Sequence, residues 1–244
     1  MLDFNHGALK DRVGVPTLAD LNAAAAKITS TPRDYLGGSR LGEECARQLQ
    51  YGYQGAVGKP FTAKTQMIFA IGHAGEDAVA GLLRHAGFDL RTHKNGKQFG
   101  FETAGGRIRG HIDGVVCAGP DEFGPYPYLW ENKWVNHKGW TALVKHGVAK
   151  ERPVYAGQVA TYQAYMDLTE NPALFSFGNR DTGEIAFERV PFNAKLAQDC
   201  TDRGVQVIMA TEAGEMLPRP YPDADFFKCK FCDYREDCWD GNAQ

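Results

Sequence analysis

Hydrophobic positions along the chain switch several times between helical and extended spacing. Residues 18–28 have helical propensity, and Thr31-Pro32 ends that run. Gly37-Gly38 punctuates the loop that follows, and Ser39 can cap a helix reaching residue 51. A longer helix is predicted over 65–85, with Ala78, Val79, Leu82 and Leu83 on its apolar face and Gly87 just past its end. Extended patterning starts over 88–92. Asn95-Gly96 then marks a hairpin, and 98–103 returns as its partner. After Gly105-Gly106 a long strand is predicted over 107–116, with Arg107, Arg109, His111 and Asp113 on one face. A Gly- and Pro-rich loop over 117–127 leads to a strand over 128–134. Strands in this order predict a mostly antiparallel stretch of sheet.

Further on, Pro153 suits the first turn of a helix whose stripe is Tyr155, Val159, Tyr162 and Met166. Strands follow over 173–177 and 185–190, with Asp181-Thr182-Gly183 as the turn between them. Asn193 can cap a helix to about residue 213, with Leu196, Cys200, Val207 and Ile208 inward. Pro218, Pro220 and Pro222 mark an extended linker to the C-terminus.

Two of these strands carry candidate chemistry. Asp113 sits in Gly110-His111-Ile112-Asp113-Gly114, and Glu131 and Lys133 stand two apart on the next strand, so both point to one face. Carboxylates beside a lysine can hold a hard divalent cation next to a water-positioning or general-base group, as phosphodiester cleavage requires. His73 and Glu76 lie three apart on one helix face and matter if that helix packs over Asp113. Gln158 is polar beside the stripe of its helix and needs a partner, either the site or a nucleotide. Lys133, Lys138, Lys145, Lys150 and Arg152, with His137, Trp140 and His146 among them, form a basic, partly aromatic segment suited to phosphate contact.

Composition narrows the partners. The chain has 244 residues, 43% of them hydrophobic, which is enough for one sizeable core. One domain with an appendage is expected. The net charge of -3 excludes a globally basic nucleic-acid binder, so DNA contact has to come from a local patch. No apolar run reaches a membrane span, and the start of the sequence has no signal-peptide pattern, so a cytoplasmic protein without membrane contact is expected. In that compartment the six cysteines are expected to stay out of disulfides. Cys229, Cys232 and Cys238 make a C-x2-C-x5-C pattern, which points to a metal. Three thiolates leave a tetrahedral site or a cubane cluster one ligand short, and Cys45, Cys117 and Cys200 are the other cysteines.

Taken together, these motifs resemble the PD-(D/E)XK nuclease superfamily in its RecB-like branch. Within it they resemble the CRISPR-associated protein 4 family, its phage-encoded relatives, and the iron–sulfur nuclease domain of the AddAB recombination enzyme. The likeness rests on Gly72-His73-Ala74-Gly75-Glu76, Gly110-His111-Ile112-Asp113-Gly114, Glu131-Asn132-Lys133, Gln158 with Tyr162, and Cys45 with Cys229, Cys232 and Cys238, in the family's order. It covers residues 39–239. Ile112 stands where the superfamily's named proline would be, and helicase motifs are absent.

The resemblance implies an α/β fold: a restriction-endonuclease-like core with a central mixed sheet flanked by helices. A cysteine-ligated cluster appendage, built from the helix around Cys45 and residues 223–239, would join the N- and C-terminal parts. Residues 1–38 would be an N-terminal arm and 39–244 the nuclease domain. The implied Mg²⁺ or Mn²⁺ ligands are His73, Asp113, Glu131 and the Asn132 carbonyl, with Glu76 behind them and Lys133 acting with Asp113 and Glu131 in catalysis. Gln158, Tyr162 and Lys138 would hold DNA. Cys45, Cys229, Cys232 and Cys238 would ligate a [4Fe-4S] cluster, with zinc as the alternative. The implied activity is an exonuclease on single-stranded or end-exposed DNA, in phage recombination or CRISPR adaptation, with a recombination or helicase partner. A restriction-like endonuclease and a non-catalytic DNA-binding module are the other readings.

Overall fold

The computed structural model describes residues 16–28, 33–56, 58 and 61–240. Half of the expected N-terminal arm, residues 1–15 and 29–32, lies outside them, as does the expected helix stop at Thr31-Pro32. The first helix, α1 (Leu18–Ala25), opens with a reciprocal cap between Thr17 and Asp20. It packs on α3 (Ala63–His85), which is capped by Thr62 and ends before Gly87 at φ +90°. Between them lie β1 (Leu36–Gly37) and α2 (Ala46–Tyr53).

The helix expected from Ser39 does not form there. Residues 38–40 make a single 3-10 turn, and α2 starts only at Ala46, with Cys45 as its cap. Close packing explains the delay. A Cβ on Gly38 would lie 2.8 Å from the Tyr162 ring, and one on Gly42 would lie 2.6 Å from the Val154 carbonyl. The segment is wedged against its neighbours in a shape that a regular helix cannot take.

A short hairpin, β3 (His93–Lys94) and β4 (Lys97–Gln98), turns at Asn95-Gly96 as the sequence indicates. The strand expected over 88–92 shortens to β2 (Leu90–Arg91). The strand expected over 107–116 divides into β6 (Ile108–His111) and β7 (Gly114–Val116). These belong to different sheets. β6 lies between β1 and β5 (Gly100–Thr103), whereas β7 joins the central sheet. The shared face expected for Arg107 to Asp113 therefore ends at the break. Ile112 turns fully into the core there, its N–H donating to the Phe99 carbonyl at 3.0 Å.

The central sheet has the order β10-β9-β8-β7-β2, built around β8 (Tyr128–Val135), β9 (Ala173–Asn179) and β10 (Ile185–Val190). β2, β7 and β8 pair antiparallel, as expected for that stretch, and β8 pairs parallel with β9, so the sheet as a whole is mixed. Alternation along β8 divides its two faces. Leu129 and Val135 pack with Val159, Tyr162, Phe175 and Phe177, beneath α4 (His137–His146), α5 (Val148–Glu151) and α6 (Pro153–Tyr165). Tyr128 and Trp130 pack with Val79, Ala80 and Leu83 of α3 on the opposite face. Helix α7 (Ala194–Glu212) packs on α2 and α6 and closes a second core with Leu36, Leu41, Leu49 and Ile108. The chain ends in two short helices, α8 (Phe227–Lys230) and α9 (Arg235–Trp239). No helix among the described residues is long and apolar enough to cross a membrane.

Candidate active site

Strand β8 brings Glu131, Asn132 and Lys133 to the middle of the sheet, and the break between β6 and β7 brings Asp113 beside them. Register explains why the break matters. Gly114 pairs with Trp130, so a continued strand would set Asp113 opposite Glu131 in the ladder. Instead the Asp113 side chain takes a ladder position, and its Oδ2 accepts the Asn132 N–H at 2.8 Å. The same oxygen lies 4.0 Å from the Lys133 ammonium. Lys133 also donates to Glu131 Oε1 and, at 3.2 Å, to the Asn132 carbonyl.

Glu131 is fully buried. Its Oε1 accepts from both Lys133 and Gln158 of α6, while its Oε2 is buried with no hydrogen-bond partner. A buried acceptor left unpaired costs roughly 1–3 kcal/mol, and more when it carries charge. Burial, followed by the charge of Asp113, raises the Glu131 carboxyl to about 8. Burial opposes the charge on Lys133, but Glu131 and Asp113 outweigh it and hold the ammonium protonated. The Asn132 amide is fixed from the other face: Trp130 Nε1 donates to Ser176 Oγ at 2.9 Å, and Ser176 Oγ donates to Asn132 Oδ1 at 2.9 Å.

Helix α3 crosses behind this group. Gly75 makes the approach possible, since a Cβ there would stand 2.2 Å from the Trp134 ring. One residue on, half-buried Glu76 feels Asp113 and Lys133. Burial first and the charge of Asp113 second push its carboxyl up to about 7. His73, one turn earlier, is exposed, and its imidazole has no hydrogen bond or ion pair among the described residues. Of the two α3 candidates, Glu76 is the one that feels the Asp113 and Lys133 charges, and His73 is the exposed one.

Gln158 and Tyr162 are both buried, and Gln158 gives its amide to Glu131. The Tyr162 hydroxyl is raised by burial and then by the charge of Glu131, and its ring stands edge-on to Phe101 at 5.5 Å. Lys138 is exposed in the first turn of α4, and Lys145, His146 and Lys150 are exposed farther along α4 and α5. Tyr155 was not singled out by the sequence beyond its core stripe, yet its ring centroid lies 5.7 Å from the Lys133 ammonium. The available signal was its position three residues before Gln158 and seven before Tyr162, on one helix face.

The four motif cysteines gather elsewhere. Cys45, Cys229, Cys232 and Cys238 line one cavity, with Arg47, Tyr51, Arg219 and Trp239 around it. All are free thiols. Burial raises the Cys45 and Cys232 thiols, and their cysteine neighbours add to this. Among the described residues no three His, Cys, Asp or Glu side chains stand at metal-holding spacing, so the expected cysteine-ligated appendage is not shown. For the carboxylate site this is no obstacle. Mg²⁺ keeps several waters and commonly takes one or two protein carboxylates besides the substrate phosphate. The unpaired Glu131 Oε2 is the feature that a cation would satisfy.

No protein-family model matches the chain, and no curated protein matches it. Solved structures do. An alkaline exonuclease from Laribacter hongkongensis, LHK-Exo, superposes with a TM-score of 0.52 at 16% identity, covering 80% of this chain and 93% of that one. LHK-Exo in complex with dAMP gives a TM-score of 0.51 at 16% identity, covering 80% and 93%. The chain shares its fold with an exonuclease. At this identity the likeness is one of fold, with the mixed sheet and flanking helices in common.

Proposed function

We propose that the chain is a Mg²⁺- or Mn²⁺-dependent deoxyribonuclease that hydrolyses phosphodiester bonds in single-stranded or end-exposed DNA. The observation that carries the reading is Glu131: fully buried, paired on one oxygen by Lys133 and Gln158, and unpaired on the other. A carboxylate oxygen left without a donor beside a second carboxylate and a lysine is what a cation site requires. The fold shared with LHK-Exo supports nuclease chemistry, and the dAMP complex of that protein supports a nucleotide as ligand.

Asp113, Glu131 and the Asn132 carbonyl would hold the cation, with Glu76 and His73 of α3 as the further candidates. The bound cation supplies a more acidic water and neutralises charge on the scissile phosphate. Lys133, held by Glu131 and facing Asp113, orients the attacking water and stabilises charge growing on the phosphoryl oxygens. Water adds to phosphorus, the bond to the leaving sugar oxygen breaks, and that oxygen takes up a proton. Gln158 keeps Glu131 in place, and Tyr162 walls the site. Exposed Lys138 and its basic neighbours meet the backbone of the strand.

The four cysteines, free thiols that line one cavity, would draw closer together around a [4Fe-4S] cluster or a zinc ion. The sequence resemblance further suggests a cytoplasmic enzyme of phage recombination or CRISPR adaptation, working with a recombination or helicase partner. The test compares a linear end-labelled single strand with a closed single-stranded circle in Mn²⁺. The reading expects the linear strand to shorten and the circle to persist. A cut circle would indicate an endonuclease, and two intact substrates would contradict nuclease activity.

A further inference from the structure

Helix α3 carries one continuous stripe at alternating spacings of four and three: Thr65, Phe69, Gly72, Glu76, Val79 and Leu83. Its C-terminal half is core, with Val79 and Leu83 buried against the sheet. Its middle is the active site, at Glu76. Among the described residues its N-terminal half is left largely open. Phe69 is 47% exposed, and Phe61, just before the helix, is 48% exposed. Their rings meet edge-to-face at 5.2 Å. Helix α1 lies beside this stripe, where the Ala63 N–H donates to Asn22 and the Gln66 side chain donates to the Ala25 carbonyl. At Gly72, between Phe69 and Glu76, a Cβ would meet nothing within 4 Å, so the stripe is open there.

The geometry points to Phe69, braced by Phe61, as a stacking platform for a nucleobase of the DNA strand whose backbone enters at Glu76, Asp113 and Glu131. The inference rests on the nuclease reading of that site. Phe69 and Glu76 are seven residues apart, about 10 Å along the helix axis. That is about three stacked nucleotides at roughly 3.4 Å each. A strand with one phosphate at the carboxylates thus has a base within reach of Phe69. Aromatic stacking suits such a strand because every base has a π face, and it needs no sequence preference. Edge-to-face contact with Phe61 holds the Phe69 ring while leaving it open to solvent.

The test uses a single-stranded oligonucleotide with 2-aminopurine near its end, bound to the full-length protein in Ca²⁺, and then cleavage in Mn²⁺. Wild type is expected to quench the 2-aminopurine on binding. Phe69→Ala is expected to lose most of the quench and bind about tenfold more weakly, and Phe69→Trp is expected to restore both. Quenching and affinity unchanged in Phe69→Ala would overturn the platform, even if the protein degrades DNA. Quenching that depends on Phe69 without Mn²⁺-dependent cleavage would uphold the platform and contradict the nuclease reading. If Phe69→Ala changes only self-association in sedimentation, the face is a contact between copies of the chain and the inference fails.

Discussion

Lys133 and Glu131 illustrate how far residue spacing alone can be read. Their separation of two on a strand predicted one shared face, and they are hydrogen-bonded there. The sequence names Asp113 with them, but spacing could not give the strand break through which it reaches the site. Nor could it choose between His73 and Glu76, since both sit on one side of α3 and only packing decides which is covered. Replacement of Lys133 by Ala is predicted to leave DNA binding intact and to lower Mn²⁺-dependent cleavage by a factor on the order of 10²–10⁴, measured by single-turnover assay. The raised carboxyls give a second expectation. Glu131 at about 8 and Glu76 at about 7 hold protons in the folded chain that an unfolded chain releases near the ordinary 4.5. Metal-free stability should therefore fall as pH rises from about 5 to 8. Added Mn²⁺, which needs ionised carboxylates, should raise Tm more at pH 8 than at pH 6. A metal-induced shift that is larger at pH 6 would contradict this.

At the scale of elements, periodicity located most helices and strands but not their interruptions. The division of the strand over 107–116 comes from tertiary contact: Ile112 is drawn into the core and Asp113 captures the Asn132 N–H. The late start of α2 comes from close packing at Gly38 and Gly42. Neither leaves a mark in local propensity, and the parallel pairing of β8 with β9 is equally silent in a single sequence. The contact between α3 and β8 is the element-level feature on which the site depends. Trp134 lies between Gly75 of α3 and Gly178 of β9, where added Cβ atoms would stand 2.2 Å and 2.5 Å from its ring. Gly75→Ala is predicted to destabilise the fold by roughly 1–3 kcal/mol through overpacking. It should also weaken Mn²⁺ binding by moving Glu76 off the carboxylates. Chemical denaturation and metal titration on the same variant check both effects.

For the molecule as a whole, the notable feature is how α2 and the residues before it are joined to the C-terminal segment. Arg47 donates to the Leu217 carbonyl at 2.7 Å, Gln50 pairs with the backbone at 215 and 217, and Tyr51 donates to the Asp237 carbonyl. Glu44 pairs with Lys228, which draws the Glu44 carboxyl below its usual range. These bonds help to set the four cysteines around one cavity. The C-x2-C-x5-C spacing was legible in the sequence, whereas Cys45 as the fourth member, and with it the join, came from the family resemblance. The hydrogen bonds that share the work were legible in neither. Cys232→Ala is accordingly predicted to lose its iron or zinc, read by elemental analysis, and to lower Tm, while keeping the C-terminal segment docked. Rapid proteolysis of residues 218–240 in that variant would show that the thiolate site alone holds the ends together.

The central claim is that Glu131, with Asp113 and Lys133, holds the ion that drives phosphodiester hydrolysis. Release of nucleotides from an end-labelled single strand, followed over a Mn²⁺ series for wild type and Glu131→Gln, tests it most directly. The account predicts Mn²⁺-dependent release by wild type and none by Glu131→Gln, with DNA affinity in Ca²⁺ unchanged. Equal release by both proteins, or no release by wild type at any Mn²⁺ concentration, would contradict it.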